Sequence, residues 1–259
     1  MSLNAFAWAS VLGRTLAAHL SPFRYCVPSV EEEVFTLNAE GRGLIVLLHG
    51  YKQHRGSLMA QWATVEKAMT HPNAYRTLYV PHIHYEDAPP SSNLLCLESN
   101  ASIFSTVQAH CEQHEEDDIL IIGISLGGRI AIGLQHALRR AAERQHIHTI
   151  TLASPLQGTS LVRYIPFASY FLGNAVYAEL NPNSSQQLHL ANIMYNIAPH
   201  RSFLHFYLRT DHLVFPPSRC VTVGAAQSTF CLSNCAHREV LTHPYVIHSI
   251  VSFLFPPRE

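Results

Sequence analysis

The feature that most constrains this chain lies between Asp118 and Ala131, where Ile-Leu-Ile-Ile runs through Gly123-Ile-Ser125-Leu-Gly127-Gly128 into Arg-Ile-Ala. The residues before Gly123 have the length and apolar character of a buried strand, and those beyond Gly127 read as a helix. Gly-x-Ser-x-Gly must then turn the chain from sheet into helix within two or three residues, which is the geometry of a nucleophile elbow. Such a turn predicts strained backbone at Ser125, with its hydroxyl clear of the main chain. Glycine is needed at 123 and 127 because a Cβ at either place would meet the crossing strand or helix.

The elbow belongs to a repeating pattern. Leu44–Leu48 is an unbroken apolar run of strand length, as a strand covered on both faces requires. Further strands are expected at Arg76–Val80, Thr149–Ala153 and Phe203–Leu208, and a short last one at Cys220–Val223. Helices are expected over Ser57–Met69, Asn100–Gln113, the elbow to Arg144, and Pro244–Leu254. In the second of these, Ile103, Val107 and Cys111 recur four apart on one face. Strands separated by helices predict an α/β fold with a doubly wound, mostly parallel sheet. A chain of 259 residues suits one such domain. Residues 1–41 read as an N-terminal extension with an edge strand near Val34–Leu37, and residues 42–259 as the domain.

The stretch 161–182 breaks this rhythm by crowding Tyr164, Phe167, Tyr170, Phe171 and Tyr177 around Pro166 and Gly173. It reads either as one more packed helix or as a cap inserted after a strand, standing over the carboxyl edge of the sheet. As a cap, those five aromatic residues are pocket candidates for an acyl chain, each buried methylene contributing about 0.8 kcal/mol. The same stretch could make a transient membrane or lipid-surface contact.

Composition excludes several classes. The formal net charge is -1 and no block is dense in lysine or arginine, which argues against nucleic acid as a partner. No run reaches the eighteen or so apolar residues of a membrane span. The apolar piece Ala5–Leu20 lacks a basic leader and is interrupted by Arg14, so it reads as an extension packed on the body, and the cytoplasm is favoured over secretion. Cys26, Cys96, Cys111, Cys220, Cys231 and Cys235 form no regular disulfide framework. Zinc at the last three with His237 would need looser spacing than structural sites use, so no metal or organic cofactor is expected. No obligate protein partner is predicted.

A serine hydroxyl needs a base to take its proton, and the base needs a carboxylate to set its tautomer. In the α/β-hydrolases whose nucleophile elbow this turn resembles, acid and then histidine follow the nucleophile in chain order. Asp211, just past strand 203–208, fits the acid. Asp118 begins the elbow strand and stands about 20 Å away at roughly 3.3 Å per residue, while Asp87, in the loop Pro81–Asn93, is the reserve. His237 belongs to the loop expected at Gly224–Ala236 and just beyond, before the last helix, and is free to reach back. His243 is second choice, His205 lies inside a strand, and His212 would point to the other side of an extended chain. The developing oxyanion requires two backbone donors. Leu126 N–H at the helix start supplies one, and Tyr51 N–H, after His49-Gly50, the other.

Leu47-Leu-His49-Gly50-Tyr51, Gly123-x-Ser125-x-Gly127-Gly128, Ala153-Ser-Pro155-Leu-Gln-Gly158-Thr159, Thr210-Asp211-His212 through Pro216, and Ala236-His237 ahead of Leu241-x-x-Pro244 together resemble the α/β-hydrolase superfamily. They are most similar to bacterial lipases and esterases and to lipase-like hydrolases acting on glycosylphosphatidylinositol. The resemblance spans about residue 42 to the C-terminus. It implies an α/β-hydrolase fold with Ser125, Asp211 and His237 as triad and Tyr51 and Leu126 as oxyanion donors. It further implies cleavage of carboxylic esters of lipid or other small acyl substrates. A thioesterase or acyltransferase would use the same triad, and a noncatalytic binding protein could retain the fold. The loop Tyr51–Gly56 carries more bulk and charge than the glycine-rich loop usual in the family; it reads either as a solvated loop or as one whose Lys52 or Arg55 meets an anionic substrate group.

Overall fold

A computed structural model describes residues 35–38, 43–51, 53, 55–69, 75–79, 98–114, 118–138, 147–172, 174–195, 203–220 and 227–254, all within the unit Glu33–Glu259. The strands are β1 (Phe35–Asn38), β2 (Gly43–Leu48), β3 (Tyr75–Tyr79), β4 (Ile119–Ile124), β5 (Ile147–Leu152), β6 (Phe203–Leu208) and β7 (Gln227–Leu232). The helices are α1 (Arg55–Ala68), α2 (Glu98–Gln113), α3 (Leu126–Leu138), α4 (Ala168–Leu172), α5 (Asn174–Leu180), α6 (Ser185–Tyr195) and α7 (Pro244–Leu254). Single 3-10 turns occupy Ser160–Arg163, Pro217–Cys220 and His237–Thr242. The expectations on the N-terminal extension before Val34, on the loop Pro81–Asn93 with Asp87, and on the end of the elbow helix up to Arg144 lie outside the described residues.

The described strands form one sheet in the order β1-β3-β2-β4-β5-β6-β7. Every pairing is parallel except that of β1 with β3 at the edge. The doubly wound arrangement follows from burial on both faces. Leu44, Val46, Leu48, Ile119 and Ile121 point to one side and pack on Ile103, Val107 and Cys111 of α2 and on Ile130 and Leu134 of α3. Their neighbours Ile45, Leu47, Leu120, Ile122 and Ile124 point to the other side, against Leu58, Trp62 and Val65 of α1 and Val246 and Ile250 of α7. A side-chain period of two on strands with no polar face leaves no solvent-exposed option, and full burial of each such residue contributes about 1.5–3 kcal/mol.

From β2 the chain passes first to β3 on one side and then to β4 on the other, so strand order reverses between β2 and β4. Open α/β sheets form a crevice at the carboxyl ends of the strands at such a switch point. The loops leaving β2 and β4 carry Tyr51 and Ser125.

Two expectations need correction. Of the short strand expected at Cys220–Val223, Cys220 instead closes a 3-10 turn and residues 221–223 lie outside the described residues, while β7 falls at Gln227–Leu232, inside the stretch read as loop. The reason is its edge position. With only β6 beside it, β7 exposes Ser228, Thr229 and Cys231 and packs Phe230 and Leu232, so it lacks the continuous apolar run of an interior strand. The reading of 161–182 as one packed helix also fails. Pro166 and a left-handed Phe167 (φ 56°) separate the 3-10 turn from α4, and α5 follows as a second short helix.

Candidate functional site

The elbow has the strain its sequence demands. Ser125 sits at φ 52°, the left-handed region that costs a residue with a Cβ roughly 1–2 kcal/mol. Its N–H donates to Leu152 O of β5 at 2.8 Å, and its carbonyl accepts Gly128 N–H at 3.0 Å, so sheet and helix both hold the turn. A Cβ on Gly123 would collide with the Gly127 carbonyl, and one on Gly127 with the Leu48 carbonyl of β2. The two flanking glycines thus let α3 start directly against the sheet. Leu126, the first residue of α3, has no intrahelical acceptor for its N–H.

Facing the elbow is the loop after β2. His49 is buried, and its Nδ1 donates to Gly50 O at 2.8 Å. A Cβ on Gly50 would stand 2.9 Å from Ser125 Cβ, which measures how tightly this loop presses on the serine. Tyr51 lies in the turn closed by Gln53 N–H donating to Gly50 O at 3.1 Å. The Tyr51 hydroxyl reaches across to donate to Leu172 O of α4 at 3.3 Å, tying the loop to the inserted segment.

Asp211 and His237 leave the same carboxyl edge, after β6 and β7, and meet. His237 Nδ1 lies 2.8 Å from Asp211 Oδ2, with the two residues only 4% and 1% exposed. Asp211 Oδ1 accepts the N–H groups of Leu213 at 2.8 Å and Val214 at 3.0 Å. With one oxygen committed to that turn, the other is left to face the ring. A carboxylate only accepts, so Nδ1 carries the proton of this bond and Nε2 is turned to the other side of the ring. Nε2 is buried without a hydrogen-bond partner, and no bond joins it to Ser125 Oγ. Behind the ring, Val240 and Leu241 of the 3-10 turn anchor His237 in the core beside α1.

The competing residues go elsewhere. Asp118 is exposed at the far end of β4. His205 is fully buried in β6 with Nδ1 2.7 Å from Thr151 Oγ1. His243 precedes α7 and accepts Tyr245 N–H, and His248 is exposed on that helix. His212 differs from expectation: instead of pointing away, its ring lies 6.5 Å from that of His237, edge to face. The turn accepted by Asp211 Oδ1 is the cause, since an Asx turn does not alternate its side chains as an extended chain does. Burial pushes the His212 pKa below its ordinary value; the Asp211 charge opposes the shift and His237 adds to it.

Of the pocket candidates, Tyr164, Phe167 and Tyr170 are 70%, 80% and 84% exposed. Tyr177 is half-buried in α5, and Phe171 lies in α4 with its side chain outside the described set. The base of the segment is held firmly. Thr159 Oγ1 accepts the N–H of Phe215 at 2.9 Å and that of Leu161 at 3.3 Å, linking the loops after β5 and β6. Arg129 of α3 donates through Nε and Nη2 to Glu179 Oε2 of α5 at 2.9 and 2.6 Å, and through Nη1 to Gln187 Oε1 and the Pro155 and Leu156 carbonyls. Gln187 returns a bond to Glu179 O, so every buried charge there has partners. Sequence reasoning passed over Arg129 and Glu179. For Arg129 the signal is a lone arginine among the apolar residues of the first turns of α3.

Among the described residues, no group of three His, Cys, Asp or Glu side chains is placed to hold a metal ion, and Cys111, Cys220, Cys231 and Cys235 form no disulfide. No described helix is long and apolar enough to cross a membrane.

No protein-family profile matches the chain, and no curated protein matches its sequence. Solved structures do resemble it. One belongs to work on the metagenome-derived lipolytic enzymes LipS and LipT, 13% identical with a TM-score of 0.58 over 86% of this chain and 97% of the other. The meta-cleavage product hydrolase CumD of Pseudomonas fluorescens is 14% identical, TM-score 0.52, over 83% and 91%. The Bacillus licheniformis lipase BlEst2 is 12% identical, TM-score 0.52, over 84% and 93%. What this chain shares with them at such identities is the fold.

Proposed function

Taking the α/β-hydrolase fold of this chain as premise, we propose that it is a serine hydrolase that cleaves carboxylic esters of lipid or other acyl substrates through an acyl-enzyme. The observation that carries this reading is the buried Asp211–His237 pair, whose outer nitrogen is unpartnered, at the sheet edge that also bears the strained Ser125.

In this reading Ser125 Oγ attacks the ester carbonyl carbon while its proton passes to His237 Nε2. The carbonyl π pair moves to oxygen, where Leu126 and Tyr51 N–H groups meet the charge. Collapse restores the carbonyl and breaks the bond to the alcohol oxygen, which takes the proton from His237. Water then attacks the acyl-enzyme by the same route and frees the acid and Ser125. The Ser125–His237 hydrogen bond forms as substrate closes the site, since such bonds are often long or absent without ligand. Asp211 holds the ring and stabilises the imidazolium without accepting its proton.

The 161–182 segment acts as a short cap, clasped to α3 by Arg129–Glu179 and to the β2 loop by Tyr51. Its outward Tyr164, Phe167 and Tyr170 suit transient contact with a lipid surface, where aromatic rings bury area at little entropic cost. Incubation with a fluorophosphonate probe, followed by a panel of chromogenic esters and acyl-thioesters from two to sixteen carbons, tests the reading. Labelling and ester turnover in the wild type, both lost in Ser125→Ala, are expected. A folded wild type that takes no label refutes it, and thioester turnover without ester turnover redirects it to thioesterase chemistry.

A further inference from the structure

The bonds that Asp211 Oδ1 accepts from Leu213 and Val214 lie within one turn. They fix the carboxylate on its own loop and leave the place of that loop to its two ends. At one end, just past β6, Arg209 N–H donates to Leu232 O of β7 at 2.8 Å. At the other, one residue beyond Val214, Phe215 meets the loop that follows β5. Phe215 N–H donates to Thr159 Oγ1 at 2.9 Å, and the hydroxyl donates back to Phe215 O at 3.3 Å. The same carbonyl accepts Ser160 N–H at 2.7 Å.

Thr159 is 2% exposed, and its hydroxyl uses its full capacity: one proton given and two N–H groups accepted, the second from Leu161 at 3.3 Å. Its own N–H donates to Leu180 O at 2.8 Å, at the far end of the inserted segment. One buried side chain thus stands where the insertion closes on itself and where the Asp211 turn ends. Farther on, Gln157 N–H donates to Arg219 O at 2.9 Å, so the two loops stay joined if the hydroxyl is lost, while the end of the turn is released. We propose that Thr159 is a positioning residue for the triad acid: through Phe215, its hydroxyl sets the 2.8 Å approach of Asp211 Oδ2 to His237 Nδ1. This rests on the serine-hydrolase reading. A misplacement of about 1 Å in a group that aligns the base lowers the rate by about 100-fold.

Thr159→Val keeps the shape and removes all three bonds of the hydroxyl, whereas Thr159→Ser keeps the hydroxyl. In the Val variant ester kcat should fall by about 100-fold, with KM changed less than about threefold. The downfield proton resonance of His237 Nδ1, identified by its absence from Asp211→Ala, should shift or vanish with it. The Ser variant should restore both. In an Asp211→Asn background the Val substitution should lower kcat further by less than about threefold, because the path through which it acts is already broken. A Val variant that melts lower yet keeps its kcat and its resonance would make Thr159 a stabilising residue only. Equal losses in Ser and Val would assign the effect to packing, and an undiminished loss in the Asp211→Asn background to another partner. Each of these three results overturns the inference. Thr159→Cys, which weakens the bonds without removing them, carries the test if circular dichroism finds the Val variant unfolded. Its kcat should lie below that of the Ser variant, and equality of the two overturns the inference. The parent reading fails separately, through absence of fluorophosphonate labelling in the wild type.

Discussion

Asp211 performs two tasks with its two oxygens, and Asn and Ala substitutions divide them. In Asp211→Asn the remaining oxygen goes to one side and the NH2 group to the other. Placing NH2 toward Leu213 and Val214 would set donor against donor twice, so the oxygen stays on the turn, accepting the bonds now 2.8 and 3.0 Å long. The NH2 then faces His237 Nδ1, which must give up its proton to accept, moving it to Nε2. A base carrying its proton on the wrong nitrogen cannot receive one from Ser125. The expected loss in kcat is about 10⁴-fold, or about 5.4 kcal/mol at 1.36 kcal/mol per tenfold. Stability should change by less than about 1 kcal/mol, since the turn survives. Asp211→Ala removes the acceptor as well and leaves two N–H groups, that of Val214 buried, without a partner. At about 1–2 kcal/mol each this costs about 3 kcal/mol, a fall in Tm of about 6–12 °C for a domain of this size. Ester turnover, the rate of fluorophosphonate labelling and thermal unfolding should be measured on all three proteins. Asp211→Asn within tenfold of wild type would show that Asp211 does not set the tautomer. Equal melting of the Asn and Ala variants would show that the turn bonds contribute nothing.

Other expectations follow from the same geometry. Arg129→Met should destabilise by about 3–5 kcal/mol, because Glu179, Gln187 Oε1 and two carbonyls lose a buried partner. Arg129→Met with Glu179→Leu should recover most of that loss in chemical denaturation, the signature of a pair whose cost lies in stranding one charge. Gly128→Ala should cost about 1–3 kcal/mol, since its Cβ would overlap the buried Ser154 hydroxyl and stand 2.6 Å from Ser154 Cβ. Adding Ser154→Gly should relieve that overlap, and additive losses in the double variant would refute the clash. For His212, a folded-state pKa below the ordinary 6.5 means that the unfolded chain binds more protons in the window between the two values. Stability should therefore decline as pH falls from about 6.5 to the folded value and level off below it. Melting curves of His212→Gln across that range should lack this slope, and an unchanged slope would assign it to another group.

Local rules made much of this molecule readable in advance. The β2 and β4 runs, the elbow glycines and the final helix from Pro244 are written in spacing and residue type, because burial on both sheet faces and the strand-to-helix turn act over a few consecutive residues. Chain order together with position after a strand and in a late loop pointed to Asp211 and His237 as partners, and the fold places His237 Nδ1 2.8 Å from Asp211 Oδ2. The edge strand at Gln227–Leu232 escaped detection because it has one neighbour and a polar outer side, so its apolar pattern is too sparse to stand out. What only the tertiary structure decided concerns partners distant along the chain or orientations within a loop. These are the proton position on His237, the turn that brings His212 alongside, the Arg129–Glu179 clasp across 50 residues, and the Thr159 hydroxyl between the loops after β5 and β6. Each depends on which acceptor lies opposite which donor once the strands are paired, and periodicity along a chain carries no record of that.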